Sequence, residues 1–385
     1  MLWFGFFLRL GLAWILLSSG FYLTFTGDVV TFHGMAREII GLGESVNPDM
    51  SQEISIDDSY FFFIGLIYLL TTDSMYITSI FSCLAWFFSG YFLIKIMNLL
   101  EVSKNKQIIL LFVYIFLPSS LLNTGLPLRE SYELLVVNMS IYSSLMWYFE
   151  RSAKYLFILL LGMLLMALLH MAMFAFGAII FISTLFLISL REDKHRFFIL
   201  FPISFLAISL IYGSTYILQY FDYYGGEGVS GAGAELADAV RIFQSGSIID
   251  SMGSRAQYAD LRLEIDGVSG LLYFIPVALL QYLFEPMPWR SLSIVDYVLV
   301  LENIMRAIFI FYGIKGLFVL PSLYKKIIFF LLVCYLSTEL IWAVGTTNWG
   351  TASRHHVPSL GILLLLGLAF QDQYKNSKQT NFVKN

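Results

Sequence analysis

The sequence predicts an all-α fold: a polytopic helical membrane protein with about ten transmembrane helices. Hydrophobic residues make up 58% of the chain, charged residues only 13%, and the mean hydropathy is +0.76. Because soluble domains carry about 25% charged residues, this composition excludes a water-soluble fold. Apolar runs long enough to cross about 30 Å of hydrocarbon also recur from one end of the sequence to the other.

The positions of Lys and Arg predict which loops face the cytoplasm. Two long connections, residues 27–75 and 219–292, are rich in Asp, Glu, Gly or Tyr, and the first has Arg37 as its one Arg or Lys residue. Cytoplasmic loops of membrane proteins are enriched in Lys and Arg, so we expect both long loops to be external and both termini cytoplasmic. The basic short connections are Glu101–Lys106, Glu150–Lys154, Arg191–Arg196 and Ser322–Lys326, together with the tail after Phe370.

One crossing helix on each long apolar run agrees with this assignment, because every basic connection then falls inside and both long loops fall outside. We therefore predict a single transmembrane domain over residues 1–375 and a cytoplasmic tail over residues 376–385. The first run has Arg9 near its start and no small-residue cleavage site, which favours a retained helix over a signal peptide. The predicted spans are Leu8–Phe25, Tyr76–Asn98, Ile108–Thr124, Glu133–Phe149, Tyr155–Leu169, Met171–Leu190, Phe197–Leu218, Ile294–Leu320, Ile327–Val344 and Val357–Phe370.

Two further apolar stretches are predicted to lie at the outer membrane surface. Tyr60–Leu70 is too short to cross, and a crossing there would put the acidic first loop in the cytoplasm. Leu271–Phe284 follows the large external loop and is followed by Pro286-Met287-Pro288-Trp289. Both fit interfacial helices that are apolar on one side.

Composition also excludes several classes of site. The net charge of −4 argues against nucleic acid as a partner, since nucleic-acid binding calls for a basic face. Cys83 and Cys334 both lie inside apolar runs, so we expect no disulfide framework. The sequence lacks convergent Cys residues and a HExxH pattern, and we expect neither a metal nor a cofactor.

Ionisable residues near the predicted outer ends of the helices are the first candidates for a site. Asp28 follows the first span directly and suits a general base, although a solvated helix-end carboxylate is the simpler interpretation. Arg129 and Glu130 lie in a tight outer turn. There, a local ion pair competes with a functional pair, in which Arg129 binds phosphate oxygens and Glu130 acts in catalysis.

A second set lies in and after the large loop. Arg354, His355 and His356 occupy a short outer turn, where Arg354 offers a fork for phosphate and either histidine can move a proton near neutral pH. We take His355 as the catalytic candidate and His356, with Arg354, as a substrate-binding candidate. The two histidines cannot share one helix face, and metal ligation is the weaker alternative. Arg255 and Arg290 are candidate substrate-binding residues of the loop, although dispersed loop charges are usually solvated. Glu302 and Arg306 share a helix face, as a structural or a functional pair.

The order of these features resembles the membrane-embedded GT-C glycosyltransferases and the polysaccharide polymerases of the Wzy and EpsG type. The resemblance is clearest over Leu8–Phe149 and returns at Trp349–Pro358, where a Gly-x-x-x-Arg-His turn precedes a span. The segments that carry it are Gly27-Asp28, Phe32-His33-Gly34-Met35-Ala36, Gly65-Leu66-Ile67-Tyr68, Leu117-Pro118-Ser119-Ser120 and Leu128-Arg129-Glu130.

The resemblance implies a function and assigns roles. Asp28 matches the catalytic base of the transferases, and Val29 stands where many of them have a second acid, which puts a two-carboxylate metal site in doubt. Arg129 and Arg354 match the arginines that hold the donor diphosphate, and we expect Asp28, Arg129 and Arg354 to converge at one outer cavity. The implied protein lies in a bacterial inner membrane and uses a polyprenyl-linked sugar donor and a glycan acceptor at the external face, beside membrane lipid and other polysaccharide-assembly proteins. Repeat-unit polymerisation is the first expectation; transfer of a single sugar and a flippase for lipid-linked oligosaccharide are the alternatives.

Overall fold

The computed structural model describes residues 1–20, 28–42, 59–190, 256–258 and 267–368. The described residues form helices joined by short turns, with one isolated antiparallel bridge between Gln257 and Asn348. The chain divides into two compact units, Met1–Gly177 and Ala178–Asn385. The prediction of a single transmembrane domain is not tested by this division.

The first unit contains eight helices and the start of a ninth among its described residues. They are α1 (Leu2–Ser19), α2 (Asp28–Ile39), α3 (Ser59–Leu70), α4 (Met75–Leu99), α5 (Lys104–Phe116), α6 (Pro118–Gly125), α7 (Glu130–Glu150), α8 (Ala153–Leu169) and α9 (Met171–Ser189).

The second unit, in its described part, holds the rest of α9 and five more helices. They are α10 (Gly267–Phe284), α11 (Ile294–Val319), α12 (Ser322–Gly345), α13 (Trp349–His355) and α14 (Leu360–Leu368), with a short 3₁₀ turn at Pro288–Arg290. Helix α10 packs on α12, and α11 packs on both α12 and α14. The Ser293 hydroxyl and the Asp296 carboxylate cap the start of α11 reciprocally, which fixes where that helix begins.

Four of the described helices are long and apolar enough to cross a membrane. They are Leu2–Ser19, Met75–Leu99, Ala172–Ser189 and Ser322–Gly345, and the pair Lys104–Phe116 and Pro118–Gly125 would make a fifth if it is one broken span. These helices are those of a helical membrane protein. The count of ten spans stays a prediction, and the predicted span Phe197–Leu218 lies outside the described residues.

The predicted crossing Ile108–Thr124 stays a prediction, since α5 and α6 can form one broken span. The expected single helix is corrected, because the structure breaks it into α5 and α6, which meet at 58°. Pro118 is the cause. Proline has no N–H to donate to the preceding turn, and it pushes the residue before it out of the helical region. Leu117 accordingly has φ −59° and ψ 117°.

The other described helices agree with the predicted elements but shift at their ends. Helix α1 begins at Leu2 instead of Leu8 and ends before Gly20, whose φ of 69° is left-handed. Helix α3 has 12 residues, a length of about 18 Å, which is too short for about 30 Å of hydrocarbon and agrees with the interfacial prediction. For α10, which begins at Gly267 rather than Leu271, the interfacial prediction is untested.

One hydrophobic cluster gathers the predicted outer elements of the first unit. It packs α2 and α3 against the end of α1 and against the turn between α6 and α7, and Leu169 at the end of α8 borders it. Helices α4 and α7 pack side by side, and the Ser89 hydroxyl on α4 donates to the Leu134 carbonyl on α7. The core of the hydrophobic cluster is formed by Leu16, Val29, Phe32, Ala36, Tyr60, Phe61, Ile64, Tyr68, Leu126 and Leu128.

Candidate functional site

Arg129 lies at the start of α7, directly above the hydrophobic cluster of the first unit. Its side chain is 18% exposed, and its Nε is 3.8 Å from Oε1 of Glu133, one helical turn later. The central carbon of its guanidinium lies 5.7 Å from the centre of the Phe32 ring. An aromatic face attracts a cation at this range, so Arg129 is held toward α2 while part of it stays accessible.

Asp28 is the first residue of α2 and is half-buried. Phe32 follows one turn later, so Asp28 and Phe32 lie on the same side of α2. The structure therefore brings the predicted base and the predicted phosphate-binding arginine to the same part of the first unit, since Arg129 lies near the Phe32 ring and Phe32 follows Asp28 by one turn. A first-turn carboxylate also interacts favourably with the helix dipole, so the position suits Asp28 with or without catalysis.

Two buried carboxylates accompany Arg129. Glu130 and Glu133 are each 1% exposed, and both belong to the first turn of α7, where unpaired backbone N–H groups and the positive end of the helix dipole stabilise negative charge. Glu130 was predicted from sequence, and Glu133 was not. The signal was available: an acid three residues after Glu130 falls in the same N-terminal turn.

A polar network between α2 and α3 was also not predicted from the sequence. His33 Nδ1 lies 2.7 Å from the Tyr68 hydroxyl, and its Nε2 lies 3.7 Å from the Asp73 carboxylate, which also pairs with Arg37 at 2.8 Å. Burial lowers the pKa of His33, and burial raises the pKa of Tyr68 to about 12. Around neutral pH, the network therefore holds a neutral histidine, a protonated tyrosine hydroxyl and one ion pair.

In the second unit, the turn that carries Arg354 and His355 closes the short helix α13. The His355 ring stacks on Trp342 with centroids 4.0 Å apart, and its Nδ1 lies 3.3 Å from the Thr346 hydroxyl. Arg354 and His355 are both partly exposed, so either can meet a ligand. His356 is buried instead, which confirms the prediction that the two histidines point in different directions.

His356 is held by protein groups on both ring nitrogens. Nδ1 lies 2.5 Å from Oε2 of Glu339, and Nε2 lies 3.2 Å from the Tyr282 carbonyl oxygen. Since a carbonyl only accepts, Nε2 carries a proton, and a second proton is shared between Nδ1 and the carboxylate. Ser359 donates its hydroxyl to the other oxygen of Glu339. The predicted contact of His356 with substrate would require one of these bonds to break, so this geometry gives His356 the role of fixing the turn.

Arg290, also predicted to bind substrate, is occupied in the same manner. One of its nitrogens pairs with Glu285 at 2.8 Å, another donates to the Gln257 carbonyl at 2.9 Å, and the guanidinium lies 5.1 Å from the Trp349 ring centre. Trp349 in turn donates its indole N–H to Asp296. Arg290 therefore ties three segments of the second unit together. Arg255 lies outside the described residues.

A group of buried hydrogen-bond donors lies near the turn of His355 and His356, and the sequence did not predict it. Arg306 donates to the Asn303 side chain at 2.5 Å and to the Leu283 carbonyl at 2.9 Å, and it interacts electrostatically with Tyr258 and Tyr282. The hydroxyls of both tyrosines are buried and have no hydrogen-bond partner among the described residues. The sequence suggested Glu302 as the partner of Arg306 and did not indicate its neutral acceptors, the Asn303 side chain and the Leu283 carbonyl.

Comparison with known proteins assigns no family. No protein-family model, curated protein or solved structure matches the chain. Within the described residues, no group of three or more His, Cys, Asp and Glu side chains is arranged to hold a metal ion. Arg354 belongs to the second unit, so its predicted convergence with Asp28 and Arg129 stays a prediction.

Proposed function

We propose that the protein is a membrane glycosyltransferase that acts at the outer face of a bacterial inner membrane on sugars linked to a polyprenyl diphosphate. Repeat-unit polymerisation of a surface polysaccharide is the first candidate reaction. The observation that carries the proposal is the position of Arg129 over Phe32, one helical turn from Asp28. A cation for the leaving diphosphate and a carboxylate for the acceptor hydroxyl thus occupy one partly exposed region.

The chemistry asks two things of these side chains. Arg129 stabilises the negative charge that develops on the departing diphosphate, which is most effective where water is largely excluded. Asp28 takes the proton from the acceptor hydroxyl as the new glycosidic bond forms and the bond to the diphosphate breaks. A direct displacement of this kind inverts the anomeric centre. The buried Glu133, 3.8 Å from the Arg129 Nε, limits the directions that the guanidinium can take.

The group of buried hydrogen-bond donors in the second unit supports the same substrate class. Tyr258 and Tyr282 present buried hydroxyls that can both donate and accept, close to Arg306 and also to the carboxylates of Glu285 and Glu339. Buried polar groups without a partner require an explanation such as a bound water or ion. A sugar hydroxyl of the donor or the acceptor satisfies them.

The test is an assay of purified protein in detergent with a polyprenyl-diphosphate sugar donor. Asp28→Asn keeps the size and removes the base, and Arg129→Lys keeps the charge and removes the planar fork that binds phosphate oxygens bidentately. Asp28→Asn should lower sugar transfer by about 10²–10⁴-fold, the usual contribution of a general base. Arg129→Lys should lower it by more than about tenfold, because the bidentate contact is lost. Glu38→Gln on α2 and Arg151→Lys at the far end of α7 are the matched controls and should keep wild-type activity.

The same strains distinguish the enzyme from a carrier. If the protein is the transferase, its loss leaves unprocessed donor on the outer leaflet and reduces the surface glycan to single units or removes it. A flippase predicts donor trapped on the inner leaflet. Normal glycan in both the Asp28→Asn and Arg129→Lys strains would contradict the proposed site.

A further inference from the structure

Arg9 is a buried cation in the middle of the apolar helix α1. Its side chain is 0% exposed. Its hydrogen bonds go to neutral acceptors: Nε donates to the Thr124 hydroxyl at 2.7 Å, and Nη1 donates to the carbonyls of Ile115 at 3.1 Å and Gly5 at 3.4 Å. A charged residue inside a membrane helix is costly and usually functional, so its position needs a physical account.

The break between α5 and α6 provides that account. Because Pro118 ends α5, the last carbonyls of that helix lose their intrahelical donors and form the negative end of a helix dipole. Arg9 donates to one of them, at Ile115, while its Nε reaches Thr124 on α6. A single guanidinium therefore bonds to both arms of the broken helix, and the helix end compensates part of its charge.

Close packing holds the guanidinium in this place. The Trp86 ring covers it, with the guanidinium carbon 3.6 Å from the ring centre, an arrangement that stabilises a cation. Gly5 lets α1 approach that ring, since a Cβ there would lie 2.4 Å from the Trp86 side chain. Across the bundle, Gly125 at the end of α6 lies against the Arg9 backbone. The Arg9 side chain thus has one well-defined position, between α4 and the break that separates α5 from α6.

Thr124 connects Arg9 to the candidate site. Its hydroxyl accepts from Arg9, and its carbonyl accepts from the Ser131 hydroxyl in the first turn of α7. Between Thr124 and Ser131 lies the turn that ends in Arg129. A displacement of α6 is therefore transmitted to the residue that we propose as the diphosphate ligand.

We infer that Arg9 is a positioning residue: it fixes the break between α5 and α6 and, through Thr124, the orientation of Arg129. The role assigned to Arg129 rests on the proposed function, whereas the part concerning the break does not.

The first measurement needs no activity. Spin labels at Asn105 on α5 and Asn123 on α6 report the distance across the break by pulsed electron spin resonance, and the native Cys83 and Cys334 are buried. Wild type should give one narrow distance. Arg9→Met, which keeps length and loses the donors, should broaden or shift it, and Arg9→Lys should do the same because one ammonium does not bond to both arms as a fork does. Gly11→Ala, on the same helix and with nothing within 4 Å of the added methyl, is the control.

The second measurement asks whether Arg9 acts through Arg129. Arg9→Met should lower kcat for the polyprenyl-diphosphate donor by about tenfold, with a smaller change in KM, because the charge that Arg129 stabilises develops as the diphosphate departs. In the Arg9→Met/Arg129→Lys double variant, the effects should not add, because the second change removes the group that the first one displaces. A merely structural residue predicts additive losses.

Each result bears on a separate part of the inference. An unchanged distance in Arg9→Met, or additive effects in the double variant, would overturn it. Should Arg9→Met fail to accumulate, Thr124→Val removes one of the same hydrogen bonds without a buried charge change and must show the same two effects. If wild-type protein transfers no sugar, the proposed function fails, and the distance measurement still decides whether Arg9 fixes the break.

Discussion

Removal of the Glu339 carboxylate should destabilise the second unit more than any single loss of packing near it. Glu339 is 0% exposed in the last third of α12, accepts the Ser359 hydroxyl and shares a proton with His356. We expect Glu339→Leu to leave Nδ1 of His356 buried without a partner, while Ser359 keeps its bond to the His356 carbonyl and Nε2 of His356 keeps its bond to Tyr282. Breaking a buried charged pair in this manner costs about 3–5 kcal/mol of unfolding free energy.

Glu339→Gln should behave differently because the amide keeps the shape and both kinds of hydrogen-bonding group. Its oxygen can accept from Ser359, and its nitrogen can donate to Nδ1 of a neutral His356. The loss is then confined to the charge assistance of two hydrogen bonds, which we place at about 1–2 kcal/mol. We therefore expect stability against unfolding to decrease slightly from wild type to Glu339→Gln and much further in Glu339→Leu.

The assay is thermal unfolding of purified protein in one detergent, followed by intrinsic fluorescence and by loss of the monodisperse peak. Thr338→Val is the matched control, because Thr338 is equally buried and its hydroxyl bonds only to the Cys334 carbonyl of its own helix. That change should cost about 1 kcal/mol or less. If Glu339→Leu unfolds at the same temperature as Thr338→Val, the shared proton between Glu339 and His356 does not hold this turn.

Three further expectations concern other parts of the molecule. Since burial lowers the pKa of His33 below its ordinary value of 6.5, the unfolded chain binds more protons there, so stability should fall as pH falls through 6.5 in wild type but less in His33→Gln, as measured by thermal unfolding against pH. Gly162→Ala should destabilise by about 1–3 kcal/mol, because its methyl would lie 2.3 Å from the Ser140 hydroxyl, whereas Gly11→Ala should be neutral. Cysteines introduced at Asp49 and Ser245 should react with an impermeant thiol reagent in intact cells; labelling of Ser377→Cys with those two protected would contradict the predicted topology.

The positions of most described helices could be predicted from sequence, because a membrane helix needs only apolar length. Ala153–Leu169 and Ser322–Gly345 each begin within a few residues of the predicted span. Their ends were harder to predict. Helix α1 begins at Leu2 rather than at Leu8, since an aromatic run continues a helix as well as an aliphatic one does, and its end is set by the left-handed Gly20.

The break between α5 and α6 was not predicted, although its cause was visible in the sequence. Hydropathy treats Leu117-Pro118 as part of one apolar run, whereas the backbone must end the helix there. What the sequence does not reveal is how the break is stabilised. Arg9 lies more than a hundred residues earlier in the chain, and no local pattern indicates that it reaches the Ile115 carbonyl.

The candidate site was predicted by residue type better than by partner. Asp28 and Arg129 were found because each is an ion at the predicted end of a helix, and the structure relates them through Phe32, which is not ionisable. Glu339 was missed although a carboxylate inside a predicted span is a functional candidate by itself.

The shared physical rule is that a charge inside this bundle persists where a backbone or side-chain group compensates it. Arg9 is compensated by the end of a broken helix, Glu130 and Glu133 by the start of α7, and Glu339 by a shared proton. Arg129 differs from these in having part of its side chain exposed and its nearest carboxylate at 3.8 Å, beyond hydrogen-bond distance. A cation that is oriented but incompletely paired retains donors for an incoming anion. This difference, more than its position in a turn, is why we propose Arg129 as a phosphate-binding residue among the described residues of the first unit.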